Sequence, residues 1–370
     1  MKPFRHGFVT GKFYPPHEGH VHLVRAAARQ CERVTVLVLA SHAESLDPPL
    51  RAAWLGESAA AFPGVVVAWA WDDLPVDYAD PAIWQAHVAL MRAGIRATGA
   101  ASMPDVVYSS EAYGHELAER LGARHVCLDA PRELRPISAR AIRADPVAHW
   151  EFLPAPAREG LALRVVGVGA ESTGTTTVCR DLAAALRKRG GSWARTAWVP
   201  EFGREFSADA LALARSFDPA ARPEDLVWGE EDFVTIAETQ SASEAEAARG
   251  GGPVLVCDTD ALATTVWHER YRGGPSARVQ AVAAAMLPRA LYLLTDHEGV
   301  PFEQDGLRDG EHLRPWMTGR FREVLAASGV PWVALQGPPE ARLHQALRAV
   351  DARVEAGWGF SPPLPEANKP

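Results

Sequence analysis

Two histidines, His17 and His20, stand three residues apart behind the stretch Gly11-Lys12-Phe13-Tyr14-Pro15-Pro16. At a helix start, side chains at i and i+3 face one side and can reach a single polyphosphate. The helix N-terminus favours an anion there. A metal site built from His17, His20 and His22 is the alternative, but no Cys, Asp or Glu completes a tetrahedral set. A second stretch, Gly169-Ala170-Glu171-Ser172-Thr173-Gly174-Thr175-Thr176-Thr177, has the glycine spacing of a phosphate-binding loop, GxxxxGK[ST]. Its lysine position holds Thr175. The loop amides can still cradle phosphates, and Thr176 can still ligate Mg²⁺. The missing charge must come from an arginine. The chain has only four lysines (Lys2, Lys12, Lys188 and Lys369), and Lys188 lies roughly 18 Å further along the helix. Arg308 is the first candidate and Arg314 the second.

Acidic residues stand where phosphoryl transfer would use them. Val254-Leu255-Val256-Cys257-Asp258-Thr259-Asp260 reads as an apolar strand ending in paired acids, which suits Mg²⁺ or a general base at a strand's carboxyl end. Asp258 is the first choice of base, with Glu201 and Asp260 next. Glu201-Phe202-Gly203-Arg204-Glu205-Phe206 follows another strand-like run, and Asp305-Gly306-Leu307-Arg308-Asp309-Gly310 reads as a charged lid. Each charge alone is more simply a solvated surface group; their conjunction with the loop gives the reading its weight.

The elements that must position these residues follow from periodicity. In the first half, strands are expected at 6–10, 34–40, 65–69 and 106–109, with helices at 23–31, 50–61 and 84–97. Alternating α and β with apolar strands means a parallel sheet covered on both faces. The pattern restarts with a strand at 163–168 and a helix from about 176 to 189. A long helix over 230–249, strands near 254–257, 291–294 and 331–335, and a closing helix over 343–356 complete it. The expected division is residues 1–155, a linker at 156–162, a second domain at 163–356 and a flexible tail at 357–370.

Composition agrees with two globular α/β domains: 370 residues, 47% hydrophobic and 23% charged. The net charge of −8, with neither half basic, argues against a non-specific nucleic-acid binder. The longest apolar runs are too short for a membrane helix, and the N-terminus has no signal-peptide block, so a cytoplasmic protein without membrane contact is expected. The cysteines at 31, 127, 179 and 257 have no metal or disulfide spacing and read as core residues.

The stretch from Gly11 to His20 resembles the GxFxPxHxGH signature of the nucleotidyltransferase superfamily. Ile137-Ser138-Ala139-Arg140-Ala141-Ile142-Arg143 resembles its second motif, ISxTxxR, with Arg140 in the threonine position. Followed by a P-loop half, the chain resembles the bifunctional nicotinamide-nucleotide adenylyltransferase / ribosylnicotinamide kinase family over residues 7 to 350. Ser109-Ser110-Glu111, Trp150-Glu151-Phe152-Leu153-Pro154 and the acidic stretches above add to the likeness. The resemblance implies a Rossmann-like nucleotidyltransferase sheet followed by a P-loop kinase sheet. It implies adenylyl transfer from ATP to nicotinamide mononucleotide, giving NAD and pyrophosphate, and phosphorylation of nicotinamide riboside by ATP, both with Mg²⁺. His20 would donate to the α-phosphate, with Gly11, Lys12, Phe13, His17, Gly19, Ser138 and Arg143 holding ATP. In the kinase half, Gly169, Ser172 to Thr177 and Arg308 would hold ATP, and Thr176 and Asp258 the metal. Arg204 and Asp260 would contact the riboside, and Trp84 or Trp267 would stack on the pyridinium. Some members carry a DNA-binding helix-turn-helix; with ten residues before Gly11 none is expected, so no DNA partner is implied. A homo-oligomer is compatible with this reading. The alternatives are a transferase with an inactive, nucleotide-sensing kinase half, a transferase for phosphopantetheine, FMN or a lipid head group, and a non-enzymatic sensor.

Overall fold

The structure is a computed structural model that describes residues 2–129 and 133–368. It divides into two compact units, one of residues 1–157 with 358–370, the other of residues 158–357. No helix among the described residues is long and apolar enough to cross a membrane.

The first unit runs β1 (Phe4–Gly11), α1 (Glu18–Gln30), β2 (Cys31–Ala40), α2 (Pro48–Ser58), β3 (Val65–Trp71), β4 (Val76–Asp77), α3 (Pro81–Ala97), β5 (Val106–Ser109), α4 (Tyr113–Leu121), β6 (Arg124–Cys127) and α5 (Ala139–Ala144). Its main sheet is parallel, in the order β3-β2-β1-β5-β6. Strand β2 shows why both faces are covered. Val34, Val36 and Val38 pack with Val24 and Ala27 of α1 and Leu55 of α2, whereas Leu37 and Leu39 pack with Trp84, Val88 and Met91 of α3. Side chains alternate across a strand, so an unbroken apolar run needs a helix on each side. The winding reverses at β1. The crevice where ligands bind in such sheets opens beyond its carboxyl end, where residues 12–17 lie.

The second unit begins within α6 (Ala155–Leu161). It continues with β7 (Leu163–Gly169), α7 (Thr175–Arg187), β8 (Ala197–Val199), α8 (Phe202–Phe217), α9 (Glu230–Gly250), β9 (Val254–Asp258), α10 (Ala261–Arg272), α11 (Ala277–Ala284), β10 (Arg289–Thr295), α12 (Arg314–Ser328), β11 (Trp332–Leu335) and α13 (Pro339–Glu355). Its parallel sheet has the order β11-β10-β7-β9-β8, so β7 is again the central strand at a reversal. Gly167 of β7 lets α7 approach closely: a Cβ there would lie 2.3 Å from Cys179 Sγ and 3.1 Å from Thr175 Cγ2.

Two expectations about the connections change. The stretch read as a linker is largely the helix α6. The tail expected to be loose is seated on the first unit: Glu366–Ala367 forms a short strand, β12, parallel to β4, and Tyr78 N donates to Ala367 O at 3.2 Å. Backbone pairing and side-chain anchors hold a segment whose Pro and Gly content has no element periodicity. Lys369 and Pro370 lie outside the described residues.

Gly167→Ala is expected to destabilise the second unit by about 1–3 kcal/mol through overpacking of α7 on β7. Urea denaturation checks this, and an unchanged midpoint would contradict the close approach.

Candidate active sites

The first site is a cavity of about 440 Å³ around the loop after β1. His17 is the N-cap of α1, and its Nδ1 accepts from Gly19 N at 3.1 Å. His20 Nδ1 accepts from His17 N at 3.3 Å, completing a capping box. A neutral imidazole whose Nδ1 accepts carries its proton on Nε2. Both rings are thereby set as Nε2–H donors, stacked with centroids 3.6 Å apart. The same tautomer disfavours metal ligation, which needs a lone pair on the outer nitrogen. Gly19 is required by this packing, because a Cβ would sit 3.0 Å from the His17 ring. Phe13 is buried edge-on against His20, with centroids 4.8 Å apart, so its side chain serves as a backstop to the ring.

Lys12, Gly11, Ser138, Arg140 and Arg143 line the same cavity. Ser138 caps α5, accepting from Ala141 N at 3.1 Å. Arg143 donates to Tyr14 O and lies 4.9 Å from the centre of the Tyr14 ring. Arg51 covers Tyr14 as well, at 4.5 Å, and donates to Lys12 O at 2.9 Å and Glu44 Oε2 at 2.6 Å. Sequence reasoning missed the Glu44–Arg51 pair; both side chains are fully buried. A salt bridge between residues seven apart, in a polar loop and the following helix, has no sequence signature. Trp84 lines the cavity with Tyr78 and Tyr113, and its Nε1 donates to Tyr78 O at 3.0 Å.

The second site is a cavity of about 740 Å³ around the loop after β7. Gly169 and residues 172–177 all line it, but their side chains divide. Thr175, in the usual lysine position, turns its hydroxyl to Thr295 Oγ1 at 2.7 Å. Thr173 makes the same contact at 2.7 Å and also donates to Ala170 O. These two expected ATP contacts are therefore confined to backbone, because their hydroxyls brace the loop on β10. Thr176 lies beside Asp258, where its hydroxyl opposes the rise in that acid's pKa. Asp258 Oδ2 is buried without a hydrogen-bond partner. Two hard oxygen ligands beside an anion-binding loop fit Mg²⁺.

Glu201 shares this floor. Burial first, and the neighbouring Asp258 charge second, push its pKa up to about 8. Burial also raises Asp258, against the opposing Thr176 hydrogen bond. Asp260 departs from its expected role. Its carboxylate accepts from Ala263 N, from Arg289 Nε at 3.0 Å and from Tyr292 OH at 2.7 Å, entirely inside the core. An N-cap acid two residues from a strand end looks the same in sequence as a substrate contact.

Among the arginines, Arg308 lines the cavity, with Nη1 3.5 Å from Ser172 Oγ. Arg204 lines it too, and both pair with Asp305 of the lid stretch. Arg314 lies elsewhere: it is buried under the loop, donating to Ser172 O, His297 O and Val300 O. Its guanidinium is committed to carbonyls, so it is withdrawn as a phosphate cation. Arg342 was missed; it donates to Thr173 O at 2.7 Å and Asp296 O at 2.9 Å from α13. Trp267 is in the aromatic wall with Trp228, Phe233 and Tyr271.

Two nucleotide-site units, one with paired histidines at a parallel-sheet switch point and one with a phosphate-binding loop, define a tandem α/β architecture. Comparisons with known proteins agree along nearly the whole chain. Residues 164–342 match the family described as AAA domain. The trifunctional NAD biosynthesis/regulator protein NadR of Escherichia coli K12 is 26% identical, over 82% of this chain and 71% of that protein. Its counterpart in Salmonella typhimurium LT2 is 25% identical over the same shares. A NadR crystal structure in complex with NR has a TM-score of 0.69 at 21% identity, covering 94% of this chain and 96% of that one. A NadR structure in complex with NAD and AMP-PNP has a TM-score of 0.65 at 19% identity, with 96% and 97% covered. The chain is thus related to the NadR proteins in sequence, and shares their two-domain fold.

The raised pKa of Glu201 gives a stability prediction. A carboxyl that holds its proton in the fold stabilises fully below its unfolded pKa and loses that contribution as pH rises through the folded one. Between pH ~4.5 and about 8, Glu201→Gln is expected to gain stability relative to the unsubstituted protein, without nucleotide or metal. Thermal melts at pH 5, 6.5 and 8 check it; a gap independent of pH would contradict it.

Proposed function

We propose that this chain is a nicotinamide-nucleotide adenylyltransferase joined to a ribosylnicotinamide kinase. The observation that carries the reading is the pair of locked Nε2–H donors, His17 and His20, in one half of a chain whose other half has a phosphate-binding loop. The similarity to NadR proteins over both halves supports the substrates.

In the first site the mononucleotide's phosphate oxygen attacks the α-phosphorus of ATP. The bond to the bridging oxygen breaks, and pyrophosphate leaves. The nucleophile is already anionic, so the protein needs no base; it aligns the reactants and spreads charge. His20 donates to the α-phosphate, and His17, Lys12 and Arg143 hold the rest of the triphosphate with the amides near Gly11, Gly19 and Ser138. Trp84 forms part of the wall for the pyridinium.

In the second site the nucleophile is a neutral 5′-hydroxyl. Ionised Glu201, made more basic by burial, takes the hydroxyl's proton as the oxygen attacks the γ-phosphorus; the bond to the β,γ-bridging oxygen breaks and ADP leaves, with Asp258 sharing the acidic floor. Thr176 and Asp258 would hold Mg²⁺, which neutralises phosphate charge when bound. Amides of Gly169 and residues 172–177 cradle the phosphates, Arg308 supplies the charge that Thr175 lacks, Arg204 orients the riboside, and Trp267 walls the ring. The readiness of the acid pair and Arg308 favours an active kinase over a nucleotide-sensing domain. Four free thiols, with Cys127 exposed, suit a reducing cytoplasm.

The test is product mass from purified protein with ATP and Mg²⁺, given either nicotinamide riboside or the mononucleotide. NAD from both substrates is expected. NAD from the mononucleotide alone would sink the kinase assignment; no NAD from either would sink the adenylyltransferase, and the absence of mononucleotide from the riboside as well would sink both. His20→Ala is expected to slow adenylyl transfer by about 10²–10³-fold and leave riboside phosphorylation unchanged. Arg308→Ala should do the converse, with a loss of similar size. Parallel loss of both activities in one folded variant would contradict separate sites.

A further inference from the structure

Among the described residues, Lys12 is the one lysine that lines the first unit's nucleotide cavity, and it is held by acids and a carbonyl. Its Nζ lies 3.8 Å from Glu366 Oε1 and 4.0 Å from Glu44 Oε1, and donates to Leu364 O at 3.5 Å. Glu44 belongs to the buried pair with Arg51, so its charge is already matched. Glu366 comes from the segment 358–368, and Pro363, Leu364 and Glu366 form part of the cavity wall.

The segment is fastened at several points along its length. Trp358 packs against Trp150, and Phe360 meets the Tyr14 ring edge-on at 5.7 Å. Tyr14 OH donates to Ser361 O at 3.0 Å, and Ser361 N donates to Ser45 Oγ at 3.2 Å. Glu366 and Ala367 pair as β12 with β4, and Asn368 donates to Asp77 at 2.8 Å. Tyr14 is the ring that also carries Arg143. The segment therefore touches both cations assigned to the triphosphate, one directly and one through Tyr14.

We propose that residues 358–368 are a strap over the adenylyltransferase site, in which Glu366 holds Lys12 in the place of the ATP triphosphate and must yield when the nucleotide binds. The inference rests on the adenylyltransferase reading. A carboxylate beside the lysine stands where the triphosphate would sit and competes with it. Both side chains are about 30% exposed, so the pair is weak and the competition modest. Apart from the Leu364 carbonyl, the strap's other contacts do not involve Lys12, so the Glu366 side chain can move away while the anchors at Tyr14 and Ser45 remain.

The test uses the full chain with Glu366→Gln. At low ionic strength the KM for ATP in NAD formation is expected to fall about two- to fivefold. Added salt should shrink the difference, and the KM for ATP in riboside phosphorylation should not move. A purely structural role for Glu366 would change stability or kcat without lowering that KM. The second measurement is hydrogen exchange in the unsubstituted protein. The Tyr78 amide, bonded to Ala367 O, should exchange faster with the mononucleotide and a non-hydrolysable ATP analogue bound. An unchanged or raised KM in the variant, or an unchanged or slower Tyr78 exchange, overturns the strap. No NAD formation by the unsubstituted protein overturns the adenylyltransferase reading instead.

Discussion

Both sites depend on one constraint: a buried parallel sheet can present backbone amides to an anion only where its winding reverses. At that point neighbouring connections leave in opposite directions, and the carboxyl end of the central strand opens into a crevice. β1 and β7 are those strands, and each has its anion-binding loop there. The core exists to hold this edge. Val34 to Ala40 bury both faces of β2 against helices, and Gly167 lets α7 lie tightly on β7. The histidine donors and the phosphate loop are consequences of that packing, because each is the first turn of a helix whose far side is pinned to the sheet.

Replacing the loop lysine by Thr175 redistributes work among other residues. A lysine would supply a mobile point charge. Here the position's hydroxyl joins Thr173 and Thr295 in a hydrogen-bonded group under the loop, with Thr173 and Thr295 buried. Arg314 and Arg342 donate to the carbonyls of Ser172 and Thr173 from behind. Those bonds fix the peptide planes of the loop without placing charge among the phosphates. On the proposed reading, placing charge there falls to Arg308, which pairs with Asp305 and reaches toward Ser172. Rigidity and charge, united in one lysine elsewhere, are divided between threonines below and arginines behind and above.

The sequence was legible where a signal is local. The β2 run, the paired histidines, the glycine spacing of residues 169–174 and the strand ending at Asp258 each follow from neighbours in the chain. It was silent where the deciding contact is distant. Asp258 ends β9 and Asp260 follows two residues later, yet one lies beside Thr176 and the other is consumed by Arg289 and Tyr292, some thirty residues on. Arg342 lies just outside the helix expected at 343–356 and is buried beneath the phosphate loop, a contact that no local pattern announces. β8 has three residues, too few for a period. The tail lacks any repeating pattern, and only the positions of Tyr14, Ser45 and β4 make it an ordered wall.

The two sites also show how the nucleophile's chemistry dictates the electrostatics around it. A phosphate monoester arrives ionised, so its partner site needs donors and no acceptor for a proton. The loop after β1 meets that need with imidazoles whose Nδ1 atoms are spent on helix amides, leaving Nε2–H as the outward group. A ribose hydroxyl arrives neutral, so its site needs a base stronger than an exposed carboxylate. Burying Glu201 beside Asp258 would provide one on the proposed reading, at the cost of fold stability once both acids are ionised. On the proposed reading the same sheet edge serves two phosphorus reactions, and the difference is made by a few side chains whose protonation is set by hydrogen bonding in one case and by desolvation in the other.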